Sequence, residues 1–259
     1  MVTETARLTT QKLHVVESDP LNSSLQLDLK LDLKTVVKES HGKEVTCVAF
    51  NTVQPTASNL FLTVGGNQAT VYDDAHLGYH ISVVVQFVNE KTEYVEGGDL
   101  YAGCWINCRP WTRHPFGDAC IAVAGVDPVI QIISVVEARV IKILRGNHKC
   151  AIVDLSANSD GPCLLASLDC AGCITLWNIS RQDEYQTPSA SVTRSDATAV
   201  ALSPDGSTLA IGTSTGDVLL LSVTSEKSGN LGIQEPHVVK VNGDCPLMLD
   251  GVDCLVNTS

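Results

Sequence analysis

The chain lacks several things, and each absence removes a class. No apolar run approaches the ~18–20 residues that a membrane-spanning helix needs, so a helical span is excluded. Basic residues are short: 17 Lys and Arg stand against 29 Asp and Glu, a formal charge of −12. A surface of that sign repels phosphate, which argues against direct nucleic-acid binding, and it favours a basic partner such as a histone tail. The first residues, M-V-T-E-T-A-R-L-T-T-Q-K, hold no apolar core of signal-peptide length, so secretion is not expected. The ten cysteines are then expected as reduced thiols, and the sequons at Asn22, Asn178 and Asn257 as bare. Cys47, Cys104, Cys120 and Cys163 lie in apolar runs, where a thiol packs as a small hydrophobe. No helical period lasts beyond about two turns, which leaves an all-β class. There is no phosphate loop and no H-E-x-x-H. Neither a cofactor nor a metal is expected.

What is present is a repeat. The 259 residues are 44% apolar, enough for a sizeable core. First strands are expected from Val45, Tyr101, Ala151 and Ala197, spaced 56, 50 and 46 residues apart. Second strands would start at Leu60, Cys120, Cys163 and Thr208, and third strands at Ala69, Val129, Ile174 and Val218. Outer strands would start at Ile81, Val140 and Val238, with a poor candidate between Tyr185 and Val192. Turn chemistry separates them: G-G-N at Gly65 to Asn67, S-P-D-G at Ser203 to Gly206 and T-G-D at Thr215 to Asp217.

The most informative stretch is Cys163 to Ser180, C-L-L-A-S-L-D-C-A-G-C-I-T-L-W-N-I-S, which predicts a tight hairpin around Asp169 to Gly172. Trp177 follows Asp169 by eight residues, and His148 precedes it by 21. In a WD-repeat blade a His ahead of the first strand, a hydroxyl on the second, an Asp at the next turn and a Trp on the third form one hydrogen-bonded chain. Those residues here are His148, Ser167, Asp169 and Trp177. Such a chain satisfies every buried polar atom and holds a blade together; its role is structural. The expected fold is therefore an all-β WD-repeat β-propeller of about four blades of four-stranded antiparallel sheet. WD rings usually close with about seven blades, and propellers of 4–8 exist. The chain is thus a small or irregular ring, or an incomplete part of a larger one. Residues 1–30 are polar enough for a disordered tail, 31–225 carry the blades, and 226–259 form an irregular segment with part of a further blade. Leu31 to Ser40 is a candidate for the strand that completes a last blade.

Three local patterns have plainer explanations than chemistry. G-T-S-T-G at Gly212 to Gly216 matches a nucleophile elbow around Ser214, but that motif needs a following helix, and D-V-L-L-L-S-V reads as a strand. Cys170 and Cys173 form C-x-x-C across the hairpin turn, with no second pair at zinc spacing; His148 and Cys150 suggest a metal, but His148 already belongs to the blade network. The loop Asn89 to Asp99, N-E-K-T-E-Y-V-E-G-G-D, carries four acids and one lysine. It is either a solvated insertion or a negative lip beside a basic peptide.

The order of motifs resembles one family. L-F-L-T-V-G-G-N-Q-A-T-V-Y-D from Leu60, the acidic insert, L-Y-A-G-C-W from Leu100, C-I-A-V-A-G-V-D-P-V-I-Q-I-I from Cys120, V-I-K-I-L-R-G-N-H from Val140 and L-L-A-S-L-D from Leu164 are similar to the EED/ESC family of Polycomb WD-repeat proteins. The match covers about residues 32 to 180. The resemblance implies a nuclear, non-catalytic scaffold in a repressive, transcription-regulating chromatin complex. Its partners would be a SET-domain histone methyltransferase, other Polycomb subunits and a histone tail. It also implies an aromatic cage for trimethyl-lysine, which binds by cation–π attraction. Tyr101 matches one cage wall, whereas the wall that is aromatic in the first blade of the family falls on Thr46. A WD-repeat adaptor outside chromatin, such as a ubiquitin-ligase substrate receptor, is the alternative, and an enzyme using Ser214 or a cysteine is the third reading.

Overall fold

The computed structural model describes residues 41–54, 57–75, 81–107, 119–179, 190–225, 231–233 and 237–239. The tail 1–30, the segment Leu31 to Ser40 and most of 226–259 lie outside the described residues. Among the described residues the regular structure is almost entirely strand, in four antiparallel sheets.

The first sheet runs β1 (Val45–Phe50), β2 (Leu60–Gly65), β3 (Gln68–Asp73) and β4 (Ser82–Val88), each paired with the next. The second repeats this order with β5 (Leu100–Asn107), β6 (Ala119–Gly125), β7 (Ile130–Ser134) and β8 (Arg139–Leu144). The third has β9 (Ile152–Ala157), β10 (Leu164–Asp169), β11 (Cys173–Asn178) and β12 (Ala190–Thr193). The fourth has β13 (Ala197–Leu202), β14 (Thr208–Thr213) and β15 (Val218–Ser225). Its outer strand comes as two short pieces, β16 (Leu231–Ile233) and β17 (His237–Val239), which pair with opposite ends of β15. The expectation placed this outer strand from Val238 alone.

The middle strands read as unbroken apolar runs because both of their faces are covered. Leu164 to Asp169 and Ile130 to Ser134 are buried at every position. Outer strands face water and alternate instead, as Ala190–Thr193 does.

The sheets stack face to face, so each has a front toward the sheet before it and a back toward the next. Leu62, Val64 and Val71 on the back of the first meet Trp105, Ile121 and Ile133 on the front of the second. Ala122, Ile130 and Ile132 meet Leu155, Leu165 and Trp177 of the third. On the back of the third, Leu164, Ala166 and Leu168 meet Val200, Leu202 and Ile211 of the fourth. Fully burying one such aliphatic side chain contributes roughly 1.5–3 kcal/mol. The innermost strands are also joined by polar bonds. Trp105 Nε1 donates to Ala49 O at 2.9 Å, Cys47 Sγ to Gly103 O at 3.2 Å, Val200 N to Asp154 Oδ2 at 2.8 Å and Leu202 N to Ser156 Oγ at 3.0 Å. These bonds satisfy strand edges that no fifth strand pairs. The result is an incomplete WD-repeat β-propeller: among the described residues the first and fourth sheets make no substantial contact with each other.

Candidate functional site

The third sheet assembles His148, Ser167, Asp169 and Trp177. Ser167 and Asp169 lie on β10, Trp177 on β11, and His148 on the connection entering β9. Trp177 Nε1 donates to Ser167 Oγ at 2.8 Å; His148 Nε2 lies 2.7 Å from the same oxygen, and His148 Nδ1 lies 2.9 Å from Asp169 Oδ2. Asp169 Oδ1 accepts the amides of Ala171 and Cys173, which closes the hairpin turn. All four side chains are buried. Burial pushes the Asp169 carboxyl up, but the His148 and backbone hydrogen bonds outweigh it and hold the group below the usual carboxylate value. Donor atoms of His148, Asp169 and Cys173 lie within 4.8 Å of one another, close enough to suggest a metal. Both imidazole nitrogens are already committed to hydrogen bonds, so the arrangement is a polar strut.

The first sheet carries a partial copy that the sequence reading missed. His41 stands four residues ahead of β1, as His148 does ahead of β9, and its Nε2 lies 3.1 Å from Thr63 Oγ1. Tyr72, paired with Phe61, holds the position of Trp177, paired with Leu165. Gly65 holds the position of Asp169, and a Cβ there would lie 2.5 Å from Glu44 O. No aspartate fits unless that backbone moves. In the second and fourth sheets Val123 and Ile211 replace the hydroxyl, and Ile133 and Leu221 replace the tryptophan. The signal that would have revealed His41 is its distance from β1, the same as that of His148 from β9.

Each innermost strand begins with a bulge, and the bulged residue comes to one rim of the arc. These residues are Thr46, Tyr101, Val153 and Thr198. Tyr101 and Thr46 are thus structurally equivalent, and Tyr101 is the one aromatic side chain in the set. It is half-buried, while Thr46 is exposed and donates to Val64 O at 3.2 Å.

The acidic loop stands beside Tyr101. Asn89 anchors it, accepting from Gln131 Nε2 at 2.8 Å and donating to Gly98 O at 2.9 Å. Two of its acids are neutralised: Lys43 pairs with Asp99 at 2.5 Å and Lys91 with Glu96 at 2.6 Å. Glu90 and Glu93 are exposed, without a Lys or Arg partner among the described residues. Tyr94 is also exposed, at 62%.

The remaining motifs fall on turns. Ser214 lies exposed between β14 and β15, its amide donating to Asp196 O at 2.8 Å. Cys170 and Cys173 flank the turn into β11. Burial and a hydrogen bond with Cys170 push the Cys150 thiol up to about 11, so it stays protonated at neutral pH.

No family model matches this chain, and no curated protein does. Solved structures do match. One is a chain of an active polycomb repressive complex 2 in the basal state, at 18% identity and a TM-score of 0.60, covering 74% of this chain and 40% of that one. Another is a chain of a humanized mutant of the Chaetomium thermophilum Polycomb Repressive Complex 2 bound to an inhibitor, also at 18% and 0.60, covering 74% of this chain and 42% of that one. At this identity the likeness is one of fold. The chain spans about two fifths of the length of these neighbours.

Proposed function

We propose that this chain is a non-catalytic WD-repeat scaffold of a Polycomb-type chromatin complex. The observation that supports it best is the likeness of fold between this chain, over 74% of its length, and chains of Polycomb repressive complex 2. On this reading the protein acts in the nucleus, binds a SET-domain histone methyltransferase subunit, and contributes no catalytic residue. The exposed acids Glu90 and Glu93 and the acidic balance of the whole chain favour a basic histone tail as a further, weak ligand. Methyl-lysine recognition does not follow from the rim, because three of its four equivalent positions are Thr46, Val153 and Thr198.

Co-expression with a SET-domain methyltransferase and its other subunits tests the proposal. The expected result is a complex that survives gel filtration and restores methyltransferase activity missing from the subunits without this chain. Failure to co-elute, with ubiquitin-ligase components captured instead, would replace this reading with that of an adaptor outside chromatin.

A further inference from the structure

Two thiols meet at the entry to the third sheet. Cys150 stands just ahead of β9, and Cys170 directly follows β10. The antiparallel ladder sets Asp169 opposite Ile152, and the Cys170 amide extends it by donating to Ala151 O at 2.9 Å. The backbone thus brings the two cysteines side by side, and their side chains are hydrogen-bonded to each other. Both thiols are free; Cys150 is half-buried and Cys170 is exposed.

The C-x-x-C spacing points to a different partner for Cys170, namely Cys173. That thiol is engaged elsewhere. Cys173 opens β11, and its Sγ accepts from Asn147 Nδ2 at 3.6 Å and lies 3.9 Å from Thr175 Oγ1. The turn between the two is fixed at several points. Asp169 Oδ1 accepts the amides of Ala171 and Cys173, Gly172 N donates to Asp169 O at 2.9 Å, and Arg194 N donates to Gly172 O at 2.8 Å. A turn held in this way presents Cys170 to Cys150.

We propose that Cys150 and Cys170 form a redox-active dithiol, which a low-molecular-weight disulfide such as oxidised glutathione closes to a disulfide bond that ties the entry of β9 to the β10–β11 turn. Cys170 reacts first, because the incoming disulfide needs an accessible thiolate. Its sulfur attacks one sulfur of glutathione disulfide, the S–S bond breaks, and one glutathione leaves as a thiolate that takes up a proton. Cys150 then gives up its proton to solvent and attacks Cys170 Sγ, and the second glutathione leaves. Two protein thiols become one disulfide, and one glutathione disulfide becomes two glutathiones. Burial keeps Cys150 protonated at neutral pH, so it is suited to the second step, where its position beside Cys170 replaces a bimolecular encounter. The bond would lie against the polar strut, since Cys150 closely follows His148 and Cys170 adjoins Asp169. It closes a loop of about 20 residues in the unfolded chain, so oxidation is expected to stabilise the protein.

Peptide mass spectrometry without reduction, on the full chain incubated with oxidised glutathione and then alkylated, tests this. The expected product is a Cys150–Cys170 cross-linked pair, formed in the wild type and in Cys173→Ser and absent from Cys170→Ser. Cys150→Ser is expected to stop after the first step and keep glutathione on Cys170. The oxidised wild type should unfold at a higher urea concentration than the reduced protein, with dithiothreitol reversing the rise and Cys150→Ser lacking it. A bond mapped to Cys170 and Cys173 overturns the proposal. So does a wild type that retains glutathione on Cys170, one in which Cys150 and Cys170 both remain open to alkylation, or one whose unfolding midpoint does not rise on oxidation. A Cys150–Cys170 bond that forms as readily in urea-unfolded chain overturns it too, because the folded geometry would then contribute nothing.

Discussion

Trp177 is almost fully buried, and its indole N–H leads a chain that ends on Asp169. Truncating it removes the packing between the second and third sheets and leaves Ser167 without its donor. Trp177→Ala is expected to lower unfolding free energy by about 3–5 kcal/mol, read by urea denaturation. Trp177→Phe keeps most of the contact and should lose about 1–2 kcal/mol. A Trp177→Phe variant as stable as the wild type would show that the hydrogen bond carries nothing. Two aspartates of the same sheet respond to pH in opposite senses. Asp169 is held low, so its contribution is present at neutral pH and fades on acidification. Asp154, between the third and fourth sheets, is pushed up to about 6 by burial, against the amides of Val200 and Leu155 that it accepts. The folded protein therefore binds a proton there more tightly than the unfolded chain does. Stability from this group is greatest below about pH 4, falls as pH rises toward 6, and stays low above it, by a total on the order of 3 kcal/mol. Asp154→Asn should gain on the wild type across pH 4 to 6 and hold that gain at pH 7. A difference between the two proteins that does not change with pH would contradict the assignment.

At the scale of the element, the sheets share one plan and differ in what closes each hairpin. In the third sheet a carboxylate closes the turn; in the first, Gly65 sits too close to Glu44 O to carry any side chain. Gly65→Asp therefore should not rebuild the missing network beside His41 and Thr63. It is expected to destabilise by about 1–3 kcal/mol through overpacking, measured by chemical denaturation. A stabilised Gly65→Asp variant would mean that the strand entry yields easily. The fourth sheet shows a second local difference. Its outer strand is broken into β16 and β17, of three residues each, where a continuous strand would hold its neighbour along its whole length. Short edge pieces open without disturbing the core, so the amides of 231–233 and 237–239 should exchange with solvent much faster than those of β14. Equal protection factors would show that the two pieces behave as one strand.

The whole molecule sets what the rim can bind. A trimethyl-lysine docked at Tyr101 meets threonine or valine at the other three equivalent positions. Each desolvated cation–π contact is worth about 0.5–2 kcal/mol, so losing two or more walls moves micromolar binding toward millimolar. Binding of a basic histone-tail peptide is then expected to be weak, equal for methylated and unmethylated forms, and lost between low and high salt, because exposed charges drive it. Calorimetric titration of both peptides at two salt concentrations checks this. Micromolar, methyl-dependent binding that salt does not weaken would show that other aromatic side chains complete a cage.

The all-β class, the four-sheet plan and the partners of Trp177 were legible in the sequence. They follow from local rules: period and run length mark strands, turn residues mark hairpins, and the spacing of His148, Ser167, Asp169 and Trp177 is set by strands of fixed rise. The equivalence of Thr46 and Tyr101 was legible only as a resemblance. The bulges that place them on one rim are a property of strand pairing and leave no residue signature. His41 went unread because its partner turn lacks the aspartate that makes the pattern visible. The reason for that lack, the approach of Glu44 O to Gly65, is a contact between separate segments. Most of all, the apolar row at Phe50 looks in sequence like every other front row. Which members of such a row are core depends on what packs against each, for Phe50 is 62% exposed while Tyr72 in the same row is buried, and only the tertiary structure decides that.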